Sequence, residues 1–290
     1  MGITRFATTA LLDLKLERYI HDLWAAQESI QEARLAFYGI RWRLTLTNLD
    51  LRLANSARIA FAKATRTLTV LPEVWENALG IAVALLRLVS HRFSRLQLAA
   101  GAAAVLLSFD IYARGGDAAK ILASELRAPR RGQHGALAAW TVTMFPETEA
   151  ARSKTGGADD TVLIGTTHPR RAWLTVFLAA LRTMRRKTSL LFDLTQTQLN
   201  DIYNLGRKAT GLAKAGLHPL RHGGASADKL AGLAEREMQT RGRWASPKSV
   251  HRYRRPGPYM RAMEAAEPQV AAGPANETFL QMELPRRLRG

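Results

Sequence analysis

Cysteine is absent from all 290 residues. That excludes a disulfide scaffold, a thiolate zinc site, an iron–sulfur cluster and a cysteine nucleophile together, and it suits an intracellular setting. Acidic residues are scarce: 24 Asp and Glu against 42 Lys and Arg give a formal net charge of +18. Long apolar runs are missing too. Leu79 to Leu86 ends at Arg87 and Leu98 to Phe109 ends at Asp110. Both fall short of the ~20 residues that span a bilayer, so they predict buried core helices. Asp13 and Lys15 interrupt the apolar N-terminus, which argues against a secretory signal. Phe6 stands where a myristoylation site needs Ser or Thr. The expectation is a soluble chain with no membrane partner.

Apolar residues make up 47% of the chain, enough for a real core and too many for a disordered basic tail. A packed core inside a strongly positive exterior favours a polyanion or an anionic membrane surface as partner. The periodicity predicts a fold that is mainly α with a small β-sheet, α+β in class. Leu12, Leu16, Ile20 and Leu23 fall on one helical face. Ser29 and Glu32 form a capping-box signature that opens a second helix, and a third is expected from Asn55 to Arg66. This region, residues 1–70, carries Arg41 and Arg43 among its polar positions and reads as a small helical bundle, basic on its polar faces.

Beyond a Pro-containing break at Thr69 to Glu73, helices are expected at about Pro72 to Leu88, Ser94 to Tyr112 and Asp117 to Leu126. Leu137 to Phe145 and Thr161 to Ile164 change to a β-rich composition, with the turn Ser153-Lys154-Thr155-Gly156-Gly157 between them. Helices resume at about Pro169 to Arg186, Thr197 to Ala215, Ser226 to Arg236 and Ser246 to Tyr253. From Glu267 to Gly290 the mixture of Pro, Gly, Ala and charge predicts a flexible tail.

The most informative string is His218-Pro219-Leu220-Arg221-His222-Gly223-Gly224-Ala225-Ser226, followed by Arg241-Gly242-Arg243-Trp244 and, nine positions later, Tyr253. Upstream, Arg114 is followed three positions on by Asp117 and then by Ile121 and Glu125. Together these resemble the signature of the tyrosine recombinases, the phage-integrase family, over about Pro72 to Met263. The order Arg, Lys, His, Arg, Trp, Tyr is that family's order. Two departures stand out: Asp117 where Glu is usual, and an Arg-Gly-Arg-Trp string where Leu-Gly-His is commoner. The variants are similar to integrase-like sequences of eukaryotic mobile elements, which would place the protein in a nucleus.

The resemblance implies a catalytic domain at residues 71–266 that cleaves and rejoins DNA through a covalent 3′-phosphotyrosine. It implies Tyr253 as nucleophile, Tyr259 being the next candidate should Tyr253 fail, and Arg114 and Arg221 as the phosphate clamp. Lys154 would be the acid for the leaving oxygen, His218 would handle the proton at the nucleophile, and Trp244 would bond the phosphate through its indole N–H. Such chemistry needs no cofactor and no metal, and the family assembles as a tetramer on double-stranded DNA, with no small-molecule substrate. Arg241, Arg243, Arg252 and Arg254, with Arg41 and Arg43, are the expected duplex contacts.

Each residue alone has a plainer reading. Arg114 could be a surface residue at a helix start, Lys154 a solvated turn lysine, Trp244 a core anchor and Tyr253 an exposed aromatic. His218 and His222 share the i, i+4 spacing of a zinc helix but lack a third ligand. Joint occurrence in order is what favours the catalytic set. Two alternatives stay open: an inactive, DNA-binding remnant of a mobile element, and a relaxing topoisomerase with the same chemistry.

Overall fold

The computed structural model describes residues 9–25, 30–46, 71–129, 138–144 and 161–289. The chain is mainly helical with one small antiparallel sheet, an α+β class. It divides into two compact units, Met1–Val70 and Leu71–Gly290. Among the described residues no helix is long and apolar enough to cross a membrane.

In the first unit, α1 (Thr9–Ala25) buries Leu16 and Ile20, and α2 (Ile30–Leu46) buries Ala33 and Phe37. The four-residue spacing puts each pair on one stripe of its helix. The expected helix from Asn55 to Arg66 lies outside the described residues, as do the side chains of Arg41 and Arg43.

The second unit is built on the two apolar runs, which form α3 (Trp75–Arg87) and α4 (Arg95–Asp110). Every residue of α4 from Leu98 to Asp110 is buried, so this helix is the centre of the core. Ser94 starts it with a full capping box: its hydroxyl accepts from Gln97 N–H at 3.1 Å, and the Gln97 side chain accepts from Ser94 N–H at 3.0 Å. Thr195 and Gln198 open α7 (Gln196–Ala209) the same way.

The helix expected from Asp117 to Leu126 is instead a single turn, α5 (Gly115–Ala118), and a 3₁₀ turn, Ala123–Glu125. The Glu125 carboxylate accepts from Leu122 N–H at 2.8 Å and closes the chain into that turn. Leu126 then enters a strand too short to leave a period in the sequence. The sheet runs β1 (Leu126–Arg127), β2 (Thr141–Thr143), β3 (Thr161–Leu163), with Leu126 opposite Val142 and Val142 opposite Val162. These three side chains are buried on one face, as the two-residue period of a strand requires. Lys154 lies between β2 and β3, outside the described residues.

After α6 (Leu174–Met184) and α7 come α8 (His218–Leu230), α9 (Glu235–Gly242), α10 (Pro247–Tyr253) and α11 (Pro256–Ala265). The segment expected as a loose tail is a long helix, α12 (Glu267–Leu288). Leu280, Leu284 and Leu288 form a buried stripe that its Pro and charge content conceals. Glu277 ties it down, accepting from Arg170 Nε at 2.8 Å and from Trp75 Nε1 at 3.3 Å. Pro274 and Pro285 each remove a helical hydrogen bond. Packing against α3 and α6 outweighs that loss.

Candidate active site

The motif helix begins eight residues before the expected Ser226. Pro219 in the first turn of α8 fits there because its missing N–H would have had no helical partner. The Gly223-Gly224 pair does not break the helix. A side chain at Gly223 would meet the Glu73 carbonyl at 1.9 Å, and one at Gly224 would meet the Phe109 carbonyl at 2.0 Å. The glycines are thus where α8 touches the backbone beside α3 and the end of α4. That contact seats His218, Arg221 and His222, spaced three and four apart, on one face.

Arg243 closes α9 in the left-handed conformation, φ 52° and ψ 49°. The turn sends Trp244 back across Gly242, whose missing side chain leaves room for the indole; a Cβ there would lie 2.3 Å from the ring. α10 then returns Tyr253 over the same place. Trp244 and Tyr253 stack with centroids 5.0 Å apart and planes at 22°. Tyr253 also lies 4.8 Å from the His222 ring and 5.4 Å from the His218 ring. The Arg221 guanidinium sits 4.8 Å from the Trp244 ring and 4.8 Å from the Tyr253 ring. His218, Arg221, Trp244 and Tyr253 are therefore one cluster, although they span 36 positions of sequence.

Arg221 is fully buried. Its Nη1 donates to the Tyr112 carbonyl and its Nη2 to the Gly242 carbonyl at 2.6 Å. Arg221 Nε and Trp244 Nε1 are buried donors without a hydrogen-bond partner among the described residues. Burial, followed by the neighbouring Arg243 charge, lowers the Arg221 guanidinium to about 10. Arg114 stands at the start of α5, 3.9 Å from Asp117, which in turn lies 3.4 Å from Arg243. Its charge acts on both Arg221 and His218. Arg114 and Arg243 thus both meet Asp117, whose charge also acts on Arg221.

Both histidines resist protonation. Burial lowers His222 to about 4, helped by His218. Partial desolvation, then Arg221, Arg255 and Arg114, lower His218, although its ring edge is open to water. His222 Nδ1 lies 3.2 Å from the Tyr253 carbonyl. A carbonyl only accepts, so the proton of that bond sits on Nδ1 and His222 pins α10 to α8.

Beneath the cluster lies an ionic network that sequence reasoning missed. Asp110 and Asp228 are fully buried and are met by Arg171 and Arg241. Arg171 reaches Asp228 at 2.7 Å, and Arg241 reaches Asp110 at 2.9 Å and the Leu163 carbonyl at 2.6 Å. The signal available was Asp110 closing an apolar run: a carboxylate that helical packing buries requires cationic partners.

This corrects the expected duplex contacts at Arg241 and Arg243. Arg241 is buried and committed to Asp110, so it braces the core and faces no duplex. Arg243 is likewise buried, on the Asp117 side of Arg221. Arg254 is held by Glu235 at 3.3 Å and by His251 at 2.6 Å. The side chain of Arg252 is outside the described residues. Tyr259, the reserve nucleophile, is a core residue of α11; its oxygen accepts from Trp75 N–H, and burial lifts its phenol to about 12. No family model matches the chain, and no curated protein sequence matches it.

Proposed function

We propose that this protein breaks and rejoins DNA strands through a covalent 3′-phosphotyrosine on Tyr253, the chemistry of the tyrosine recombinases. One observation carries the reading: His218, Arg221, Trp244 and Tyr253 share a cluster in which two buried N–H donors, on Arg221 and Trp244, lack acceptors among the described residues. A phosphodiester supplies acceptor oxygens for those donors and a negative charge beside the Arg221 and Arg114 guanidiniums.

The roles follow from the chemistry. His218, held neutral, takes the phenol proton as Tyr253 attacks phosphorus in line. Arg114 and Arg221 stabilise the charge that builds on the non-bridging oxygens. Lys154, outside the described residues, is assigned to protonate the departing 5′-oxygen on the resemblance alone. The phosphotyrosine ester keeps the energy of the broken bond, so rejoining needs no nucleotide. Assembly as a tetramer on double-stranded DNA belongs to the same proposal.

Incubation with a nicked suicide duplex should leave a protein–DNA adduct that survives denaturation. Tyr253→Phe should abolish the adduct and retain salt-sensitive duplex binding. An adduct that persists in that variant removes Tyr253 from the role. A second reading, duplex binding without cleavage, is favoured by the Tyr253 and Trp244 rings lying over a fully buried Arg221. Binding with no adduct on any of several substrates would select it.

A further inference from the structure

Tyr112 has a left-handed backbone, φ 50°, a region that a bulky aromatic enters only when its surroundings hold it there. Its hydroxyl donates to the buried Asp228 carboxylate. Its ring lies against Gly224, where a Cβ would approach the Tyr112 Cδ1 at 2.7 Å, and stacks on Trp244 with centroids 5.8 Å apart and planes at 23°. Its carbonyl accepts from Arg221 Nη1. An aromatic that merely filled the core would need no left-handed turn. Here the turn lets one residue place its ring under Trp244 while its carbonyl meets Arg221.

We infer that Tyr112 is a positioning residue for the site, the base of a three-ring stack Tyr112–Trp244–Tyr253 that sets the depth of the nucleophile and the aim of Arg221. The inference rests on Tyr253 being the nucleophile. The left-handed turn and the contact with Gly224 set the plane of the lowest ring, and the two stacked rings above inherit it. Tyr112 touches no reacting atom, so its effect belongs on the rate of strand cleavage and not on affinity for DNA.

The test compares full-length wild type, Tyr112→Phe and Tyr112→Gly for single-turnover cleavage of a suicide duplex and for duplex affinity. Glycine keeps the left-handed backbone and loses the ring. Phenylalanine keeps the ring and loses only the anchor. A displaced reacting group costs on the order of a hundredfold in rate, so Tyr112→Gly should fall by about that factor with its affinity unchanged. Tyr112→Phe should stay within a few-fold of wild type. Tyr112→Leu, which fills the space without a flat ring, replaces the glycine variant if that one does not fold, and should show the same loss.

A folded Tyr112→Gly or Tyr112→Leu that cleaves at the wild-type rate overturns the inference, and so does a loss confined to affinity. Equal loss in the phenylalanine variant overturns it as well, by moving the effect from the ring to the Asp228 bond. Those outcomes leave the nucleophile assignment standing. A wild type that forms no adduct on any substrate removes both.

Discussion

Two groups of charge meet at Tyr112, and they are balanced differently. Below it, Asp110 and Asp228 face Arg171 and Arg241, two carboxylates to two guanidiniums, all buried. Above it, Arg114 and Arg243 meet Asp117, and Arg221 keeps a buried Nε without a hydrogen-bond partner among the described residues. A protein interior tolerates charge when it is paired and hydrogen-bonded. The matched group is therefore a foundation, each carboxylate met by a guanidinium. The upper group holds two buried donors, Arg221 Nε and Trp244 Nε1, without acceptors among the described residues, which is the condition of a site that receives an anion.

The contrast is most easily broken from below. Asp228→Ala leaves Arg171 and Arg241 with one carboxylate between them and should cost about 3–5 kcal/mol in a urea titration. A loss under about 1 kcal/mol would mean the lower group is not the foundation described.

A second test uses His222, beside the upper group, and its resistance to protons. An unfolded histidine takes its proton near 6.5, whereas folded His222 resists until about 4. Between those values the unfolded chain binds more protons. The stability that His222 contributes is thus complete above pH 6.5 and is lost as pH falls toward 4, on the order of 2–3 kcal/mol. Urea titrations from pH 7 to 4.5 should show His222→Gln with a shallower decline than the wild type; parallel declines would contradict the assignment.

The smallest effect on stability sharpens the same comparison. Arg221→Met strips donors from two buried carbonyls but relieves repulsion from Arg243, so the net loss should be about 1–2 kcal/mol, less than for Asp228→Ala. Duplex affinity should fall, and the slope of log affinity against log salt should shrink by about one. An unchanged slope would mean that Arg221 meets no phosphate.

Much of the site was legible because it is written in short spacings. His218 and Arg221 lie three apart on one helix, and the nine positions from Trp244 to Tyr253 are a turn and a short helix that fold back on themselves. The start of α8 was missed because Gly223-Gly224 reads as a breaker until the carbonyls pressing on it are seen. The terminal helix was hidden by Pro274 and Pro285, whose local penalty the buried leucine stripe overrides. Arg241 and Arg243 looked like neighbours with one purpose. Packing gives one of them to Asp110 and the other to Asp117.

Residue order alone settles the positive charge, the two apolar helices of the core and the kinds of side chain available for phosphate chemistry. These depend on composition and on backbone periods of a few residues. Which arginine becomes a brace, which keeps an unpartnered donor, and which tyrosine stands over it depend on contacts such as Asp110 with Arg241, 131 positions apart. No local period encodes such a pairing, because it exists only once α4 and α9 have packed and water has been removed from between them.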